Sequence, residues 1–148
     1  MVFEHQMRMM NLLTRINWEA RVPDKDKETV VSLPDGAREL VDYLLFVDEA
    51  PIKDKITGST TFALEFAAQG PRDKKGRSLR QLDLARRMMT YPCSYMIYSK
   101  QFDGLPVAAK DEVYRRMWGV LSGQVRDKKY SRLSLSDRSS KMVCVRMK

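Results

Sequence analysis

The chain has 148 residues, 43% of them apolar and 31% charged, with a formal net charge of +8. That suits one domain large enough to bury a core without metals or disulfides, with a composition ordinary for a soluble globular protein. The longest uncharged stretch, residues 88–99, falls well short of the ~20 residues that cross a bilayer, so no transmembrane segment is expected.

Apolar residues recur at three and four positions from the start. Val2, His5, Met9, Leu12 and Ile16 predict a first helix ending near Arg21, with Phe3, Met10 and Leu13 widening its stripe. Pro23 closes it, because the residue before a proline avoids helical geometry. A second helix is expected from an N-cap at Asp35 to Pro51. Its Leu40, Val41, Leu44, Leu45 and Val47 make it apolar nearly all round, the mark of a buried helix. Phe62, Glu65 and Phe66 place a short helix within residues 60–68. After the charged turn Gly70–Arg77, Ser78-Leu79-Arg80-Gln81 has the form of a capping box ahead of a further helix through Leu82 and Met89. Pro92 reads as the start of a helix over Cys93–Ser99, and Pro106 opens another that ends at Gly123. Arg126–Arg132 reads as a basic linker, and Ser134–Asp137 as the cap of a last helix. The expected fold is all-α: an irregular bundle of six to seven helices in a single domain over residues 1–148. Leu40, Leu44, Leu45, Leu82, Met96, Val113 and Met117 are expected in one core.

Four residues are candidates for chemistry. His5, the single histidine, lies on the first apolar stripe, where a haem or metal ligand competes with a hydrogen-bonded core histidine. No Cys-x-x-Cys-His motif or zinc-ligand spacing supports a metal or cofactor, so none is expected. Cys93 sits where a helix N-terminus favours a thiolate, yet its neighbours Tyr95, Met96 and Ile97 favour a free, buried structural thiol. Asp42 and Glu49, seven apart on one expected helix, have the spacing of paired acid–base groups. The commoner role is an ion pair, with Arg80, Arg86 or Arg87 as natural partners. No catalytic signature accompanies these residues, and an enzyme is not the expected reading.

Charge is divided unevenly along the chain. From Gly70 onward 19 Lys and Arg stand against 7 Asp and Glu, whereas before it 8 stand against 12. A cationic half attracts acidic partners. Arg72, Arg77 and Arg80 around the Gly70–Ser78 turn, and Lys128 and Lys129 in the basic linker, are the expected anion contacts. They lack any motif that would read base edges, so contact with nucleic acid is expected to be weak and non-specific. A non-catalytic helical interaction domain, docking on an acidic protein surface or on the rest of a longer parent chain, is the leading expectation. A redox or cofactor-binding domain using Cys93 or His5 is the alternative.

The runs 41–51 (VDYLLFVDEAP), 70–73 (GPRD), 76–80 (GRSLR) and 91–98 (YPCSYMIY) resemble those of an uncharacterised bacterial family of longer, exported proteins. The resemblance spans most of Phe3–Gly123 and corresponds to the C-terminal portion of those proteins; it is poor after Lys141. It implies a fragment of a longer chain in the cell envelope or outside, where this chain alone would read as cytoplasmic. The apolar patterns running into both ends of the sequence carry the same expectation. It brings no activity, ligand or active-site residue with it.

Overall fold

The computed structural model describes residues 1–22, 32–58, 60–130 and 133. Apolar side chains at helical spacing build α1 (Val2–Glu19), which buries His5, Met9, Leu12, Leu13, Ile16 and Glu19. Phe3 and Met10, expected to widen the buried stripe, point outward instead. The buried residues centre on the side of Met9, Leu12 and Ile16, and Phe3 and Met10 stand more than about 100° around the helix from that centre.

The second helix, α2 (Leu33–Leu44), begins three residues earlier than expected, with Ser32 rather than Asp35 at the cap. Pro34 stands in its first turn, where a missing amide costs nothing. Its Ala37, Leu40, Val41 and Leu44 are wholly buried, and it packs on α1 on one side and on the last helix on the other. It is the central helix. It stops at Leu44 rather than near Pro51, because Phe46 takes a left-handed φ of 52° and turns the chain away.

One contact between the first two helices is unusually close. The Glu19 carboxylate lies against α2 so tightly that a Cβ on Gly36 would sit 2.1 Å from Oε2. Burial raises the Glu19 pKa against the opposing pull of Arg15, which is 3.0 Å away. An alanine in a helix ordinarily gains about 0.5–1 kcal/mol over glycine. Here the Glu19 carboxylate must swing aside, so Gly36→Ala should forfeit that gain and leave stability within about 1 kcal/mol of wild type. In a Glu19→Ala background the same change should stabilise, and chemical denaturation of the four proteins measures that coupling.

Beyond α2, residues 45–58 are irregular and lead to α3 (Thr60–Ala68), the short helix expected there. The expected helix over residues 78–89 does not form. Ser78 and Gln81 do make part of the capping box, with Ser78 N donating to Gln81 Oε1 at 3.2 Å. The chain then doubles back through a Leu82–Met89 bridge, with Leu84 at a φ of 58°. Ser78 and Asp83 turn their side chains onto the nearby amides of Arg80 and Ala85, local bonds that compete with helix. The amides of Ile52 and Ile56 bond the carbonyls of Arg86 and Leu84, so the turn is also held from a distance.

Ser94 caps a 3-10 turn at Tyr95–Tyr98, and Ser99 caps α4 (Lys100–Asp103). The long helix α5 (Val107–Leu121) follows Pro106, and Gly123 turns the chain at its end with a φ of 78°. A second 3-10 turn covers Lys128–Tyr130, within the expected linker. The described residues thus hold five α-helices and no strand. The expected last helix from Ser134 lies outside them. Leu40, Leu44, Leu45, Met96, Val113 and Met117 share one core, with Leu82 partly buried against it.

Candidate functional site

A cavity of about 700 Å³ opens beside the first turns of α1 and the end of α2. It brings together three of the four residues singled out for chemistry, His5, Asp42 and Glu49, between the walls of Tyr43, Phe46 and Met88. Arg8 lies over the Tyr43 ring at its edge, 5.1 Å from the centroid. The convergence is tertiary. Glu49 stands five residues beyond the end of α2, so its shared wall with Asp42 does not come from helical spacing.

Each of the three polar groups is already bonded within the protein. The His5 ring stacks nearly parallel to Tyr43 and Phe46, with centroids 5.1 and 5.0 Å away. Its Nε2 meets Ser94 Oγ at 2.7 Å. Burial pushes its pKa down to about 4, so the ring is neutral at physiological pH. The Ser94 Oγ also accepts from the Met96 amide. Ser94 N in turn donates to the Leu44 carbonyl at 2.8 Å. One wholly buried serine thus ties α1, the end of α2 and the first 3-10 turn together. The pair has the composition of a serine nucleophile with its base, but a fully buried hydroxyl cannot meet a substrate.

The partners of Asp42 are Lys129 Nζ and Tyr130 Oη, each at 2.5 Å, and not Arg80, Arg86 or Arg87. Arg116 donates to the same Tyr130 hydroxyl at 3.3 Å. Burial opposes the charge on Lys129, but the hydrogen bond and charge of Asp42 hold its pKa above the usual value. Glu49 Oε1 accepts from the Met88 amide at 2.8 Å, bracing the 82–89 turn. These carboxylates position segments of chain.

Cys93 carries no free thiol. It is wholly buried and disulfide-bonded, which corrects the expectation of a reduced core cysteine. Nor does it open a helix: its amide bonds the Tyr91 carbonyl, and the 3-10 turn starts at Tyr95. Cys144, the only other cysteine in the sequence, lies outside the described residues.

The expected anion contacts are spread apart and largely engaged within the fold. Arg77 pairs with Asp73 at 2.6 Å, and Asp73 also accepts from the amides of Lys75 and Arg77, which locks the Gly70–Ser78 turn. The Arg77 hydrogen bond, helped by those amides, holds the Asp73 pKa below the usual range. Arg72 donates to the Gly76 carbonyl. Arg80 lies over both Phe66 and Tyr95, 4.9 and 4.7 Å from the centroids of two rings that meet edge to face. Lys128 and Lys129 stand in the second 3-10 turn, the latter bound to Asp42. Polyanion affinity should therefore be weak. Heparin or mixed-sequence DNA retained at low salt should elute well below physiological ionic strength.

Among the described residues, no group of three or more His, Cys, Asp or Glu side chains is arranged to hold a metal ion. No helix there is long and apolar enough to cross a membrane. As on α3 at Phe62 and Leu64 and on α5 at Val107 and Trp118, large apolar side chains are exposed on the outer side of α1. Phe3 is 71% exposed, Met7 50%, Met10 36% and Trp18 56%, all on one line along the helix. Comparison of the chain with protein-family models, curated proteins and solved structures gives no match.

Proposed function

We propose that this chain is a non-catalytic helical interaction domain that docks on another polypeptide through the outer face of α1. The carrying observation is the line of Phe3, Met7, Met10 and Trp18 standing in solvent on a regular helix. Single exposed apolar residues are ordinary, whereas an aligned set containing two aromatics marks a contact surface. The groups that would carry chemistry support the same reading from the other side. His5, Asp42, Glu49 and Cys93 are all held in structural bonds.

The disulfide at Cys93 fits an oxidising compartment, in keeping with the exported proteins that parts of the sequence resemble. Photo-cross-linking tests the docking face. The full chain, with benzoylphenylalanine at Phe3 or Trp18, should form a protein adduct on irradiation in cells that make it. The same probe at Arg86, exposed on the 82–89 turn, should not. Adducts from Arg86 alone, or from none of the three positions, would refute the reading.

A further inference from the structure

We propose that the polypeptide docked on α1 is a second copy of this chain, with the two α1 helices antiparallel about a two-fold axis between Met10 and Asn11. This rests on the interaction reading and names its partner. A two-fold contact requires one surface to complement itself, so each side chain must find a suitable partner at its mirrored position. The outer line of α1 does so. With the axis midway between residues 10 and 11, Phe3 of each copy meets Trp18 of the other, Met7 meets Thr14, and Met10 lies beside Asn11.

Phe3 and Trp18 are fifteen residues apart, ~22 Å along the helix at 1.5 Å per residue. The aromatic contacts therefore close both ends of the pairing, with methionines filling its centre. Thioethers adapt to such irregular gaps.

The flanks of the helix agree with this register. Glu4, Arg8, Asn11 and Arg15 border one groove along the exposed line. In an antiparallel pair the same flank of each helix faces its counterpart, which sets Glu4 against Arg15 of the other copy, twice. Arg15 uses Nε for Glu19 and Nη2 for Glu39, and Nη1 has no partner among the described residues. The other flank carries Gln6 and Asn17, amides that fall close to each other in the same register.

The two aromatics and two methionines of each copy, with their flanks, bury on the order of 1,000 Å² in total, the lower bound of a specific interface. The dimer is accordingly a weak, reversible one. Phe62 and Leu64 on α3 are exposed as well, but that helix is only nine residues long and offers no mirrored charges.

Sedimentation equilibrium of the full chain over a wide concentration range tests the pairing. Wild-type protein should show a monomer–dimer equilibrium. Phe3→Lys and Trp18→Glu, each measured alone, should weaken it about a hundredfold, because each disrupts both aromatic contacts of the pair. An equimolar mixture of the two should regain association. At one end of the mixed pair the ammonium introduced at position 3 faces the carboxylate introduced at position 18, while at the other end Trp18 still meets Phe3. Circular dichroism checks that the variants keep their helices. Met10→Arg, which brings two cations to the axis, provides a second disruption at a solvent-facing site.

Variants that associate as wild type does, or a mixture that stays monomeric, would overturn the antiparallel pairing. So would a wild-type chain that remains monomeric at millimolar concentration. That last result leaves the interaction reading standing, which falls only if the cross-linking probes at Phe3 and Trp18 also give no adduct. Adducts of twice the chain mass, joining position 18 to residues 1–7 of a second copy, support the pairing directly.

Discussion

Reducing the protein, or replacing Cys93 by alanine, should lower its unfolding free energy by about 2–5 kcal/mol. Cys93 is wholly buried beside the 3-10 turn that carries Ser94, so the disulfide anchors the chain at its core. In the chain-entropy account a disulfide stabilises mostly through restriction of the unfolded state. The measurement is urea unfolding of wild type and Cys93→Ala, each with and without reductant. Wild type should drop on reduction, while the variant should start low and show no response. An unchanged midpoint for reduced wild type would refute the account, as would alkylation of Cys93 in the unreduced folded protein. The same experiment decides the redox alternative, because a disulfide at a buried structural position has little access to exchange partners.

Helix periodicity made α1, α2, α3 and α5 legible in the sequence, because the stripes they bury are local patterns. The 78–89 segment was not legible. Leu79, Leu82 and Met89 have helical spacing, but the competing bonds come from Ser78 and Asp83 nearby and from Ile52 and Ile56 some thirty residues away. Periodicity carries no record of such distant amides. The exposure of Phe3 and Met10 was missed for a related reason. An apolar residue beside a stripe looks like an extension of it until the packed face is known.

The candidate site shows a similar division. His5, Asp42 and Glu49 were marked by residue type, and the fold does bring them to one cavity. Their partners were hidden by distance: Ser94 lies 89 residues from His5, and Tyr130 lies 88 from Asp42. Ser94 itself gave no signal, since a serine before a short 3-10 turn reads only as a cap. Cys93 was the right residue with the wrong chemistry. A second cysteine in the sequence permitted a bridge, and nothing in the spacing required one.

Acid should unfold this protein partly through His5. Buried between Tyr43 and Phe46, the imidazole has a pKa of about 4, below the 6.5 of an unburied histidine. Above about pH 6.5 the ring is neutral in the folded and unfolded chains, and its contribution to stability is fully present. As the pH falls through that value the unfolded chain binds a proton that the folded chain refuses. Stability then declines until the folded ring protonates near pH 4, where the loss levels off. At about 1.4 kcal/mol per pH unit the loss across this window is about 3 kcal/mol. His5→Gln keeps a polar group there but does not titrate. The variant should start less stable at pH 7.5, yet lose about 3 kcal/mol less than wild type on going to pH 4. Urea unfolding at several pH values measures both slopes, and carboxylates that titrate in the same range cancel in the comparison. Parallel slopes for the two proteins would show that the His5 ring binds its proton equally well in the folded and unfolded chains.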